Sequence, residues 1–271
     1  MFIIRVLTGL GLIVLFAGMM VIDILFGTPV PALAIGTFLI FAAAHEFYAM
    51  ARTAGVAPFA ALGVAGSVAA FNWPWLEAHS PVFSPEGILA ALVVAAFLAM
   101  FFRQSRANAL ADLSVTIFGA AYVGLLAGFI VALHALEGGA RVVLYAVTVS
   151  KLSDIGGYLA GRFFGRHKLA PVISPNKTIE GSAGAVVLSL AAAFSLAPLL
   201  PGEFSLWWTI AFGLAVNAAA QFGDLAESIV KRSCGVKDSA TFLPDVCGAL
   251  DLIDSVLISA PVAYAVVLVR P

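Results

Sequence analysis

The chain has 271 residues, 62% of them hydrophobic and only 11% charged, with a mean hydropathy of +1.06. A water-soluble domain carries about 25% charged residues, so a soluble globular enzyme is excluded and a membrane protein is expected. The net charge of -1, from 14 bases and 15 acids, leaves no general affinity for nucleic acid, and any anionic partner must be held by local patches.

Apolar stretches of about 20 residues, the length that crosses a bilayer, predict an all-α, polytopic transmembrane helix bundle of about nine spans. They run over 5–26, 31–50, 59–77, 87–103, 113–134, 141–161, 181–200, 206–226 and 250–269. The first apolar run, Val6 to Ile22 behind Arg5, exceeds the roughly 7 to 15 residues of a signal-peptide core and reads as a span. Helix breakers such as Thr28-Pro29, Ala57-Pro58, Ser84-Pro85 and Pro201-Gly202 fall in the connections.

Lys and Arg in short loops favour the cytosol, and they orient the stack. With the N-terminus cytosolic, the inside segments carry Arg5, Arg52, Arg103, Arg106, Arg162, Arg166, Lys168, Lys177, Lys231, Arg232 and Lys237, and the outside ones only Arg141 and Arg270. That places loops 162–180 and 227–249 in the cytosol. Residues 1–271 read as a single integral membrane domain, with 1–134 as N-terminal spans and 135–271 as the catalytic half. The expected location is the cell membrane, multi-pass, or the inner membrane of a diderm bacterium.

A charge at the bilayer centre costs about 2.5 to 3.5 kcal/mol, so polar groups inside spans are candidates for function. His45 and Glu46 lie near the cytosolic end of the second span, close to Arg52; snorkelling to the interface and membership of a polar site are the two readings. Asp23 reads as interfacial. The sixth span carries Ser150, Lys151, Ser153, Asp154 and Tyr158, with Lys151 and Asp154 spaced for an ion pair. In the loop from Gly161 to Gly181, Arg162, Arg166, Lys168 and Lys177 form a basic collar. Within it Ser174-Pro175-Asn176-Lys177-Thr178 offers hydroxyls and a helix cap near Glu180, a loop suited to phosphate. Asn217, Gln221, Asp224 and Ser228 form one stripe on the eighth span that should face a wet cavity, or, for Asn217 and Gln221, supply interhelical hydrogen bonds.

Charge is densest from Phe222 to Ser255. Asp224, Glu227, Asp238, Asp245, Asp251 and Asp254 fall here with Lys231, Arg232 and Lys237. Asp224, Glu227, Ser228 and Lys231 share a helical face by spacing, and Asp251, Asp254 and Ser255 begin another after Gly248. Two acidic faces separated by a basic loop can hold a divalent cation and bring cationic groups to phosphates. Cys234 and Cys247, in a stretch read as cytosolic, are expected to be free thiols.

At these residues the chain resembles the phosphatidate cytidylyltransferases, the CDP-diacylglycerol synthases. The ordered elements are Ser153-Asp154 with Gly156-Gly157-Tyr158 and Gly161-Arg162; Ser174-Pro175-Asn176-Lys177-Thr178 with Glu180-Gly181; Gly223-Asp224-Leu225 with Glu227-Ser228; Lys231-Arg232; Val236-Lys237-Asp238-Ser239; Leu243-Pro244; and Asp251 with Asp254-Ser255. They cover about the C-terminal half; the first half matches only as apolar spans with an acid, Glu46, in the second. The chain departs from the family where His-Gly-Gly follows Leu-Pro-Gly and Arg follows the first closing Asp. Asp245, Val246, Cys247 and Gly248 fill the former, and Leu252 the latter, so a shifted nucleotide preference or low activity is an open expectation.

The resemblance implies a membrane nucleotidyltransferase of phospholipid biosynthesis that makes CDP-diacylglycerol and pyrophosphate from phosphatidic acid and CTP or dCTP. It implies Mg2+, with room for a second cation, and is compatible with a homodimer in the bilayer. Asp224 and Asp251 are the implied metal ligands, Asp254 a further ligand or a group behind them, and Glu227 an orienting group. Lys231 and Lys237 would serve catalysis, and Lys177 and Arg232 the substrate phosphates. Asp154, Ser174, Thr178, Asn217, Ser228, Asp238 and Glu227 itself complete the substrate-binding set. A transporter, for which midmembrane acids are also expected, and a low-activity relative that binds an anionic lipid are the alternatives.

Overall fold

The computed structural model describes residues 16–27, 29–104, 107–202, 205–237, 239 and 248–269. Within them helices follow one another with a single small hairpin. They are α1 (Phe16–Phe26), α2 (Val30–Thr53), α3 (Ala60–Phe71), α4 (Trp73–Glu77), α5 (Pro85–Phe101), α6 (Ala109–Gly119) and, after a π-helical segment at Ala120–Leu125, α7 (Leu126–His134). Then come α8 (Gly139–Phe164), strands β1 (Lys168–Ala170) and β2 (Ser174–Thr178), α9 (Ile179–Leu196), α10 (Leu206–Ser233) and α11 (Ala249–Leu268).

Among the described residues, four stretches are long and apolar enough to cross a membrane: Val30–Thr53, Ala109–His134, Ile179–Leu199 and Ala249–Leu268. α1, α3 and α5 are shorter apolar helices. The stretch expected as one helix over 59–77 is interrupted at Asn72, because Pro74 has no N–H to give to the preceding turn and its ring crowds that turn's carbonyl. Of the expected first span, 5–26, residues 5–15 lie outside the described residues. α10 continues to Ser233, so Glu227, Ser228, Lys231 and Arg232 are helical and not in a loop. The basic segment after α8 folds into an antiparallel hairpin, with Lys168 opposite Thr178 and Ala170 opposite Ser174.

The chain divides into two compact units, one of Met1–Val131 with Lys231–Leu252, the other of Ala132–Val230 with Ile253–Pro271. The division passes through α10 and α11. In the first unit Tyr48, 1% exposed, donates its hydroxyl proton to the Thr116 carbonyl at 2.7 Å. Asp112 accepts from the Ala57 amide at 2.8 Å and pairs with Arg103 at 2.7 Å, fastening the turn after α2 to α6. The second unit is built on a close approach of α8 to α9: a Cβ on Gly156 would lie 2.5 Å from the Gly184 carbonyl oxygen. Tyr145, Trp208 and Phe212 pack against one another beside it, the Tyr145 and Phe212 ring centroids 4.6 Å apart.

α9 starts directly after β2, so whatever seats α9 also seats the hairpin. Thr178 caps the helix, its Oγ1 accepting from the Gly181 amide at 3.1 Å. Glu180 in the first turn accepts from the backbone amides of Arg166 at 3.1 Å and His167 at 3.2 Å, pinning the far side of the loop.

Candidate active site

The second unit gathers most of the polar residues that the sequence singles out. α8 presents Lys151 and Asp154 one turn apart, the ammonium donating to Asp154 Oδ2 at 3.2 Å and to Ser255 Oγ at 2.8 Å. Ser255 in turn donates to Asp154 Oδ2 at 2.7 Å, and Asp254 Oδ1 lies 3.9 Å from the same ammonium. Lys151 therefore ties α8 to α11 through two groups, Ser255 and Asp254, while pairing with Asp154 on its own helix.

On α10 the expected polar stripe is continuous. Asn217 accepts from Ser153 at 2.8 Å and from the Gln221 amide at 3.1 Å, while Ser182 of α9 donates to Gln221 at 2.6 Å. These three helices thus bury their polar atoms against one another, the hydrogen-bonding role weighed for Asn217 and Gln221. Asp224, one turn on, forms an ion pair at 2.7 Å with Lys177 of β2.

Asp224, Glu227 and Asp254 bring one carboxylate oxygen each within 4.8 Å of the others. α10 and α11 can come this close because residue 223 lacks a side chain; a Cβ there would lie 2.5 Å from the Asp254 carbonyl oxygen. Glu227 is 1% exposed, and buried carboxylates are stable only when paired, hydrogen-bonded or bound to metal. Among the described residues, four acids, Asp154, Asp224, Glu227 and Asp254, lie with two bases, Lys151 and Lys177. Oxygen-only donors with excess negative charge fit a hard divalent cation such as Mg2+ or Ca2+. Glu227 is thereby grouped with Asp224 and Asp254 as a candidate donor, where its spacing alone suggested a group that orients them. Ser228 lies one turn beyond Asp224, half-buried.

The first unit holds most of the remaining candidates. Lys231 donates to Asp251 Oδ1 at 2.8 Å, and Asp251 Oδ2 accepts from the Gly248 amide at 2.9 Å, so Asp251 caps the helix it opens. Just beyond, Glu46 of α2 accepts from the amides of Ala249 and Leu250, both at 3.0 Å. Glu46 is 6% exposed; it does not snorkel but serves as a charged cap on the N-terminus of α11, where the helix dipole favours an anion. Arg232 donates to the Val236 carbonyl at 3.2 Å, and Lys237 is exposed. Cys234 is a free thiol. Asp238 lies outside the described residues, as do Asp245, Val246 and Cys247. Ser174 is half-buried on β2 and Thr178 is engaged as a cap.

Sequence comparison identifies the family of the chain. The profile of the Cytidylyltransferase family matches residues 3–269. Phosphatidate cytidylyltransferase of Mycobacterium leprae is 34% identical over 86% of this chain and 78% of its own length. The protein of the same name from Mycobacterium bovis is 32% identical over 94% of this chain and 86% of its own length. The one from Staphylococcus saprophyticus is 35% identical over 64% of this chain and 66% of its own length.

Proposed function

The chain belongs to the cytidylyltransferase family, and from that premise we propose that it is a phosphatidate cytidylyltransferase of the cell membrane. The observation that carries this reading is the grouping of Asp224, Glu227 and Asp254 with Lys151 and Lys177 in an otherwise apolar helical chain. In the reaction a phosphate oxygen of phosphatidic acid attacks the α-phosphorus of CTP. A new P–O bond forms as the bond to the β-phosphate's bridging oxygen breaks, and pyrophosphate leaves with that electron pair. The attacking phosphate is already ionised, so no general base is needed, and the task is to bring two polyanions together.

Asp224, Glu227 and Asp254 are the residues that would hold Mg2+. A divalent cation bound there would neutralise and align phosphate oxygens. Lys177 exchanges its Asp224 partner for a phosphate oxygen when nucleotide enters, with the Ser174 and Thr178 segment presenting it. Lys151 fixes Asp154 and Asp254 in place. Lys231, Arg232 and Lys237 supply positive charge for CTP and the lipid headgroup, and Asp251, expected as a ligand from its motif, positions the Lys231 ammonium. The proposal keeps the nine-span topology with a cytosolic N-terminus, so that the headgroup enters from the inner leaflet while the acyl chains stay in lipid.

The test is transfer of label from CTP into chloroform-extractable lipid by purified protein with phosphatidic acid. Magnesium-dependent labelling with one pyrophosphate released per lipid is expected, abolished by a chelator. Lipid binding without pyrophosphate release would reduce the protein to an inactive relative, and ion-coupled solute uptake without nucleotide would make it a transporter. A parallel assay with dCTP reads the consequence of Val246, Cys247 and Leu252 standing where the family has His, Gly and Arg.

A further inference from the structure

The first unit carries a groove of about 860 Å3 between α2 and the α3–α4 pair. None of its lining residues belongs to the polar cluster described above. From α2 it takes Phe41, His45, Ala49 and Arg52, which are all exposed and fall on one face by their spacing; α3 contributes a floor of small side chains, Ala61 and Ala65 among them. Trp75, 53% exposed, closes the far end.

The polarity of the groove is one-sided. Asn72 near Trp75 has its amide committed to Thr37 at 3.1 Å and the Val68 carbonyl at 3.0 Å, and the Tyr48 hydroxyl is committed to Thr116. At the other end Arg52 forms no ion pair among the described residues. Two acids of the same unit, Glu46 and Asp112, are engaged elsewhere, Glu46 with the α11 amides and Asp112 with Arg103. From Phe41 to Arg52 the groove follows eleven residues of α2, about 16 Å at the rise of an α-helix. That matches one leaflet, about half of a 30 Å hydrocarbon core. A cationic mouth, an apolar floor and leaflet length together describe the complement of an anionic lipid with its headgroup at the membrane surface.

We propose that this groove binds one anionic phospholipid, its phosphate at Arg52 and His45 and an acyl chain lying between α2 and α3 toward Trp75. Small residues on the floor leave room for the chain, and the guanidinium supplies paired donors that a phosphate accepts. The lipid is a ligand of the fold and not the phosphate that reacts.

The proposal is tested on the full chain in phosphatidylcholine vesicles, titrated with phosphatidylglycerol carrying brominated acyl chains while tryptophan fluorescence is read. The difference between the parent and its Trp75→Phe variant isolates the Trp75 signal. Trp75 quenching should saturate at low mole fraction with brominated phosphatidylglycerol, and follow only bulk lipid content with brominated phosphatidylcholine of the same chains. Arg52→Gln, at an exposed position that folding does not require, should raise the half-quenching mole fraction at least about fivefold, and Ala65→Phe, filling an open floor position, should remove the saturable part. Equal quenching by the two lipids, or an unchanged midpoint in Arg52→Gln, overturns the proposal. So does a disulfide dimer formed in near-complete yield through Ala65→Cys in a chain otherwise free of cysteine, which would assign the groove to a second copy. No nucleotide is present, so the result is independent of the transfer reaction.

Discussion

Glu227 is the most enclosed of the clustered carboxylates, at 1% exposure, and its oxygen lies within 4.8 Å of those of Asp224 and Asp254. Glu227→Gln keeps the volume and removes the charge. The expected result is a folded protein whose magnesium activation curve is displaced to at least about tenfold higher concentration; an unmoved curve would take Glu227 out of the donor set. Glu46 makes a different prediction, since its two bonds hold backbone amides that a neutral, shortened side chain leaves bare. Glu46→Ala should cost about 2 kcal/mol of stability, read as a lower unfolding temperature in detergent, while Arg52→Gln on the same helix leaves that temperature unchanged. The two acids were not equally legible in the sequence. Asp224 and Glu227 share a local helical spacing that marks them as partners, whereas Glu46 finds Ala249 at a separation of 203 residues, which no local pattern reports. Lys151 had a visible ion-pair partner one turn away, but its bond to Ser255, 104 residues distant, was equally hidden.

Helices carry these groups, and glycine decides how near they come. At Gly223 a Cβ would sit 2.5 Å from the Asp254 carbonyl oxygen and 3.1 Å from the Ser255 Cα, both backbone atoms that cannot turn aside. Gly223→Ala should therefore push α11 away from α10 and weaken divalent binding, again read from the magnesium activation curve, with an overpacking cost of about 1 to 3 kcal/mol. Normal activity and an unchanged curve in that variant would show that the acids do not depend on this contact. Hydropathy was sufficient to find the elements themselves. The expected stretches 31–50, 87–103 and 250–269 become Val30–Thr53, Pro85–Phe101 and Ala249–Leu268, because an apolar run between breakers leaves few alternatives to a helix. It failed where other forces act: at Asn72 a proline two residues on divides a continuous apolar run, and in 162–180 backbone pairing of β1 with β2 and the Glu180 bonds organise a segment whose charges suggested only a loop.

At the scale of the whole molecule the proposal depends on which ends of the helices face the cytosol, and α8 is the element on which this can be decided. It has 26 residues, about 39 Å at helical rise, more than a hydrocarbon core of about 30 Å. Lys151 and Asp154 lower its hydropathy without shortening it, and their hydrogen bonds to each other and to Ser255 reduce the cost of placing them there. Arg141 in its first turn and Lys168 just beyond its end are both exposed, so a cysteine at either can be reached without disturbing packing. In a chain whose Cys234 and Cys247 are replaced by serine, a membrane-impermeant maleimide added to intact cells should label Arg141→Cys at once. It should label Lys168→Cys only after the membrane is opened. The same protection should extend to Lys237→Cys, because eleven of the thirteen Lys and Arg other than Lys151 lie in segments read as inside. Labelling of all three from one side would mean that α8 does not cross, and the basic hairpin and the α10 bases would then lose the common cytosolic face that delivery of CTP to an inner-leaflet lipid requires.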